Sequence, residues 1–208
     1  MVTIPAQVKG GSFNGVLPPI WMAGTHVFPS WCIDDPAALT TTATRLYYYP
    51  IYLDRVVAFA GARTFNSGAG DNGEVYRVGV YAEATAGGPG ALAKDFGEVT
   101  LTGAAALRTL ASAWTNARPG WYYIAVHADS AFAIYAFRSI VSISSVGYVA
   151  TYIARGSIGA LNPGSAEWAT PADGYQFMYV DTAYGALAAT AVAPTNSTPA
   201  APAVRLYI

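Results

Sequence analysis

Apolar and polar residues alternate with a period of two in several short runs of the chain. In Glu74–Tyr81 and in Trp121–His127, the even-numbered positions from 76 to 80 and from 122 to 126 hold only tyrosine, valine or isoleucine. Successive side chains of a strand point to opposite faces of its sheet, so these residues share one face. The pattern predicts two β-strands, each half-buried.

Further runs rich in aromatic and β-branched residues are separated by glycine- and proline-rich breakers at intervals typical of a sandwich. One alanine-rich stretch, Gly103–Ala113, is the only candidate helix. The whole pattern predicts an all-β fold of eight or nine strands, an antiparallel β-sandwich of the jelly-roll type. The further predicted strands are Arg45–Tyr49, Val56–Ala60, Phe96–Leu101, Ala131–Phe137, Val146–Ile153, Tyr175–Val180 and Val204–Ile208.

The two ends of the chain have a different pattern. Residues 1–39 lack clean alternation and are predicted to form an extended N-terminal arm, ahead of a sandwich domain at 40–208. The aromatic residues Trp21, Phe28 and Trp31 of this arm suit insertion into pockets of a partner, so we expect them to anchor the protein to a particle. Residues 193–203 contain three prolines, which predict a stiff connector. It leads to a terminal strand at 204–208, which we expect to return to a sheet.

Composition narrows the range of partners. Charged residues make up 11% of the chain, against about 25% in an average soluble domain. Arginine and lysine are scattered and form no basic run, so we do not expect nucleic acid as a partner. Apolar runs are far shorter than the ~20 residues that cross a bilayer, so no membrane insertion is expected. The sparse charge suggests a surface covered by other subunits, and hence a homo-oligomer.

The residues that could act as catalytic groups or metal ligands form no catalytic or metal-binding pattern. Cys32 stands alone between apolar neighbours, and His26 and His127 are the only histidines. His127 falls at a strand end, where solvent contact is ordinary. We interpret Asp34–Asp35 as a helix cap or turn cap ahead of a proline, and Asp71–Glu74 as a tight turn rather than a calcium loop. We therefore expect no enzyme activity and no cofactor.

Aromatic residues are the remaining functional candidates. Fifteen tyrosines and five tryptophans exceed what one core needs. Trp114, Trp168 and Tyr175 fall near predicted loops and beside polar residues, as a platform for sugar rings requires. These three are the candidate glycan-binding residues. Packing between subunits enriches the same residue types and is the alternative interpretation.

Three features in order resemble a β-sandwich module that recurs in bacteriophage tail fibres and related virion surface structural proteins. The first is Arg45–Val56, a strand that turns into a second one. The next combines Tyr76–Tyr81 with the loop Gly87–Leu92 and the following Asp95–Gly97. The third is Arg118–Val126, in which Pro-Gly precedes an aromatic strand. The resemblance covers about half of the chain.

The resemblance implies a non-enzymatic virion protein, a fibre or spike component that trimerises. The residues themselves add three expectations. The first residues carry no signal-peptide pattern, so we expect the chain to be made in the host cytoplasm. We also expect it to attach to other virion proteins through residues 1–39, which the resemblance does not cover, and to contact host-surface glycans through the candidate aromatic residues. The alternatives are a capsid decoration or tail connector protein without receptor binding, and a free carbohydrate-binding module.

Overall fold

The regular structure of the described residues is entirely β. The computed structural model describes residues 20–22, 26–28, 32–68, 71–139, 177–198 and 200–208. Over these residues it contains sixteen strands, whose ladders are antiparallel, and no helix. In chain order they are β1 (Ile20–Met22), β2 (His26–Phe28), β3 (Cys32–Thr40), β4 (Arg45–Leu53), β5 (Val57–Phe59), β6 (Gly61–Asn66), β7 (Asn72–Glu83), β8 (Pro89–Thr102), β9 (Ala106–Leu110), β10 (Trp114–Ala117), β11 (Gly120–Ala128), β12 (Ala133–Ser139), β13 (Phe177–Asp181), β14 (Asn196–Thr198), β15 (Ala200–Pro202) and β16 (Arg205–Tyr207).

Two large sheets and one short ribbon organise these strands. The six-stranded sheet has the order β14-β13-β4-β11-β7-β8. The eight-stranded sheet has the order β1-β2-β16-β6-β12-β15, with β3 paired to β12 and β9 paired to β6. Strands β5 and β10 form a separate two-stranded ribbon. The predicted all-β, antiparallel fold is confirmed, whereas a jelly-roll connection of the strands stays a prediction.

The larger apolar cluster of the described residues lies between the two large sheets. Tyr49 crosses this core: its hydroxyl donates to the carbonyl of Val204 at 3.3 Å and accepts from the amide of Val204 at 3.0 Å. The Tyr76 hydroxyl of β7 reaches Thr64 Oγ1 of β6 at 2.5 Å. These three bonds connect one sheet to the other and satisfy buried polar groups, which would otherwise destabilise the core.

The predicted face assignment of β7 and β11 is correct, but the prediction that these strands are half-buried is wrong. Their even-numbered residues face the core between the sheets. Three of their odd-numbered residues, Tyr81, Tyr123 and Ala125, belong to a second apolar cluster on the outer face of the six-stranded sheet. In this cluster Tyr81 and Tyr123 are fully buried beside Tyr48 of β4. The outer face is buried because another segment of the chain covers it.

That segment is residues 182–195, here called the strap. It leaves β13 with a bond from the Thr182 amide to the Thr44 carbonyl, 2.8 Å. It reaches β8 at the other edge, where Thr190 forms a bridge with Ala91. It then returns to β13, where the Thr195 amide donates to a backbone carbonyl, and continues into β14. The strap thus runs from β13 to the β8 edge of the sheet and back to β13.

Glycine at position 79 makes room for the strap. A Cβ atom at Gly79 would collide with Cδ1 of Leu187 and would lie 2.9 Å from the backbone oxygen of Lys94. The side chain of Leu187 therefore occupies the space above β7 that any larger residue would fill. The strap is seated by a specific contact between two positions that are distant in the sequence.

Both ends of the chain contribute to the sheets. The proline-rich stretch 193–203 supplies β14 to the six-stranded sheet and β15 to the eight-stranded sheet, so it passes from one layer to the other. The terminal strand β16 pairs with β6 and β2, which confirms that the last residues return to a sheet. The predicted arm boundary at residue 39 falls inside β3, which pairs with β12.

Three local predictions differ from the structure. The candidate helix at 103–113 contains β9, because its ladder with β6 outweighs the helix propensity of alanine. Asp34–Asp35 caps no helix and lies within β3, where the register with β12 shifts. Asn72 opens β7 rather than a tight turn, opposite Thr102 of β8. The predicted strand Val146–Ile153 lies outside the described residues.

Candidate functional site

Aromatic side chains, all but one of them half-buried, gather at one end of the six-stranded sheet. This end is set by the pairing of Gly120, at the start of β11, with Leu53, at the end of β4. The group, here called the aromatic end, also includes residues of the β5–β10 ribbon. Its members are Tyr52, Phe59, Trp114, Trp121 and Tyr122.

On the outer side of the sheet, Tyr52 and Trp121 are directly opposite each other on β4 and β11. Their ring centroids are 5.3 Å apart, with the ring planes tilted by 56°. Such a tilted contact is a favourable geometry for two aromatic rings. Both side chains remain partly exposed. The pair therefore presents aromatic surface that is held in place by its own packing.

On the other side, Trp114 packs between two aromatic neighbours. Its ring stacks on Phe59 at 5.7 Å with an angle of 28°, and it meets Tyr122 edge-on at 5.0 Å. The Tyr122 hydroxyl donates to the carbonyl of Arg118 at 3.0 Å, and burial raises the pKa of this tyrosine. Trp114 is only partly buried. Its ring is thus fixed in orientation while part of it remains accessible.

Polar residues lie next to these rings in the sequence. Thr115 and Asn116 follow Trp114 on β10 and are exposed. Arg118 is exposed at the turn into β11, and Asp54 pairs with Arg55 at 3.4 Å in the turn after β4. Hydroxyl, amide, guanidinium and carboxylate groups together offer both donors and acceptors. Rings flanked by such groups suit a ligand with apolar faces and many hydroxyls.

The structure places only some of the predicted site residues. Trp114 is a member of the aromatic end, although it opens β10 instead of lying in a loop. Trp168, Tyr175 and Trp31 lie outside the described residues. Trp21 and Phe28 belong to β1 and β2, of which the structure describes the backbone.

Sequence reasoning missed the other half-buried rings of the aromatic end. Tyr52, Trp121 and Tyr122 all fall in predicted strands or their margins and were assigned to the fold. The available signal was their position: Trp121 and Tyr122 directly follow the Pro-Gly breaker, at the end of a strand. Aromatic residues at the end of a strand border the loops and are more accessible than those at its centre.

The high tyrosine content is explained by packing within the chain, and not by the predicted glycan contact or packing between subunits. Every tyrosine in the described part of the chain is buried or half-buried, and six have no appreciable exposure. Two apolar clusters, one on each face of the six-stranded sheet, need more aromatic volume than one core does. The fully buried six are Tyr47, Tyr48, Tyr49, Tyr76, Tyr81 and Tyr123.

His127 also differs from expectation. It was predicted to contact solvent, yet only 3% of it is exposed, because the strap covers this end of β11. Among the described residues, no group of three or more histidine, cysteine, aspartate or glutamate side chains is arranged to hold a metal ion. The same residues include no helix long and apolar enough to span a membrane.

Comparisons with protein-family models, with curated proteins and with solved structures gave no match to this chain.

Proposed function

We propose that this chain is a non-enzymatic structural protein of a phage-type virion, a fibre or spike component that contacts host-surface glycans through the aromatic end. The observation that carries the glycan part is the packing of Trp114. Its ring is held by Phe59 and Tyr122, it is partly exposed, and exposed Thr115 and Asn116 follow it on the same strand.

The physical basis is the mixed character of a sugar ring. Its C–H face is apolar and gains from contact with an aromatic ring, while its hydroxyls need hydrogen-bond partners. A ring that is already fixed loses little conformational entropy when a ligand binds. Trp114 on one side of β11 and Trp121 on the other meet this requirement, since each is packed against a second aromatic ring.

The virion part rests on the resemblance of Arg45–Phe137 to tail-fibre modules. These residues form β4 to β12 and contribute strands to both large sheets, so they make up most of the sandwich. Trimerisation and attachment through residues 1–39 are part of the same proposal. The tyrosine content gives them no support, because the described tyrosines are used within the chain; the low charge still does.

A decoration or connector protein without receptor binding is the second candidate. It is favoured by one observation: Trp114 already makes two aromatic contacts and packs against the main core. In that case the exposed part of the aromatic end would meet another subunit, as aromatic residues do at many interfaces.

The experiment compares binding of the full chain to host cells and to isolated envelope polysaccharide. Trp114→Ala and Trp121→Ala each remove one ring, which contributes about 0.5–1.5 kcal/mol. We expect binding to weaken by about 2- to 12-fold per substitution, and more when several copies act together. Trp168→Ala applies the same test to the predicted site residue outside the described part.

Phe65→Ala is the matched control. Phe65 is also half-buried and stacks on Tyr135 at 4.6 Å, but it belongs to the eight-stranded sheet. It should leave glycan binding unchanged at a comparable cost in stability. If all variants fold and bind glycans as the unaltered chain does, the decoration or connector role replaces the receptor role. Loss of assembly with unchanged sugar binding would place the rings at a subunit interface.

A further inference from the structure

The first turn of the strap is attached to the sheet through a buried histidine. His127 Nε2 lies 3.2 Å from the carbonyl oxygen of Thr182, and the imidazole is also hydrogen-bonded with the backbone of Gly185. The ring of Tyr184 covers the imidazole, with centroids 5.0 Å apart. His127 is thus enclosed between β11 below and residues 182–185 above.

A second attachment lies next to the first. The Tyr184 hydroxyl donates to Glu98 Oε2 of β8 at 2.7 Å. Burial and the neighbouring carboxylate of Glu98 raise the pKa of Tyr184, so its hydroxyl stays protonated and keeps donating. One residue of the strap therefore packs on the histidine of β11 and bonds to the acid of β8.

The other charged groups around His127 are themselves paired or hydrogen-bonded. Arg77 is directly opposite His127 on β7, and its Nε bonds to Asp95 at 2.9 Å. The Asp129 carboxylate, just after β11, accepts from the amide of Val75. At the start of the strap, the exposed pair Arg45–Asp181 joins β4 to β13. None of the described carboxylates is bonded to the imidazole itself.

We propose that the strap is an acid-sensitive cover, which protonation of His127 releases from the six-stranded sheet. A charged imidazole at this place would be cut off from water by the strap, and burying an unpaired charge is costly. The charge is solvated most easily when residues 182–185 lift away. Release would expose the apolar face formed by Tyr48, Tyr81 and Tyr123.

The direction of the pH effect follows from the burial. Burial lowers the pKa of His127 below its ordinary value, and the bonds to Thr182 and Gly185 oppose this only in part. A lowered pKa in the folded state means that the neutral form is favoured there. Its stabilising contribution is complete above about pH 6.5, the ordinary value, and is lost as the pH falls below it. This inference does not depend on the glycan-binding proposal.

Hydrogen exchange of the full chain tests the proposal. The amides of Leu92 and Ala191 report on the strap, since the first donates to Ala189 O and the second to Gly90 O. Amides in the β6–β9 ladder serve as the internal reference. Protection relative to this reference, corrected for intrinsic exchange, should fall between pH 7.5 and 5.5. One proton limits the slope to about tenfold per pH unit.

Three variants test whether His127, rather than another titratable group, causes the pH dependence of strap protection. His127→Gln keeps a donor but does not titrate, so strap protection should become independent of pH. His26→Gln, at the only other histidine, should keep the slope of the unaltered chain. Glu98→Gln keeps an acceptor for Tyr184 and removes a carboxylate, and it too should keep the slope above pH 5.5.

Two results would overturn the proposal: flat strap protection in the unaltered chain, or an unchanged slope in His127→Gln. Should the glutamine variant not fold, the titration of the His127 imidazole by nuclear magnetic resonance decides. Its midpoint in the unaltered chain must coincide with the midpoint of strap release. A midpoint that differs shows that another group controls the strap.

Discussion

Two tyrosines on the same face of β4 have opposite surroundings. Tyr48 is fully buried beneath the strap, and its hydroxyl donates to the carbonyl of Val192 at 3.1 Å. Tyr52, four residues further on, lies beside Trp121 at the aromatic end and is partly exposed. The strand and its face are common to both, so the strap makes the difference. An aromatic residue on a sheet face supports stability or is available to a ligand according to what covers that face.

The largest expected effect is the difference between Tyr48→Ala and Tyr52→Ala. Removing a large buried ring costs about 3–5 kcal/mol in stability, because transfer energy is lost and a cavity remains. The partly exposed ring of Tyr52 loses less contact, and we expect less than half of that cost. Chemical denaturation of both variants, at equal conditions, measures the two free energies of unfolding. Equal losses would contradict the strap as the cause of the difference.

A smaller effect is expected from Gly79→Ala. The added Cβ has to displace Leu187 Cδ1 and also approaches the carbonyl of Lys94, and overpacking of this kind costs about 1–3 kcal/mol. Because Leu187 belongs to the strap, faster hydrogen exchange at Leu92 and Ala191 should accompany the loss.

Gly185→Ala is the matched control for this prediction, since Gly185 lies on the strap itself and a Cβ there meets nothing within 4 Å. It should leave both stability and exchange nearly unchanged. If it loosens the strap as much as Gly79→Ala does, the seating of Leu187 on β7 is not what holds the strap.

The strands were predictable where their pattern is local. Alternation in β7 and β11 gave the correct faces, and the apolar terminal residues gave β16, because each signal lies within a few consecutive positions. The strap has no such signal: alanine and threonine dominate residues 182–195. Its place is set by contacts such as that of Leu187 with Gly79, which join positions far apart in the sequence.

The same reason limits what could be foreseen of the candidate site. Trp114 was singled out because polar residues follow it, and those residues led to its assignment near a loop. It opens a four-residue strand paired with the three-residue β5, and such short strands carry too few positions for a periodic signal. Its contact with Tyr122 depends on how the ribbon packs on β11, which no stretch of sequence shows alone.

The smallest expected effect concerns single hydroxyl groups. Tyr48→Phe and Tyr81→Phe each remove a bond to the strap, to the carbonyls of Val192 and Ala188, both at 3.1 Å. The net contribution of one hydrogen bond to the free energy of unfolding is about 0.5–1.5 kcal/mol. The loss reaches the upper end of this range where the carbonyl is left without a partner. Tyr52→Phe is the control at the uncovered end of β4, and we expect its stability to change little.

The pH dependence of these losses separates them from the effect of His127. Burial raises the pKa of Tyr81 to about 12, so its hydroxyl donates at every pH in the ordinary working range. Burial also raises the pKa of Tyr48. Above the pH range in which His127 is expected to release the strap, the loss in each phenylalanine variant should therefore be the same at pH 7.5 and at pH 9, measured as the difference in free energy of unfolding from the unaltered chain. A loss that is present at pH 9 and vanishes at pH 6 would show that the strap has already left the sheet at the lower pH.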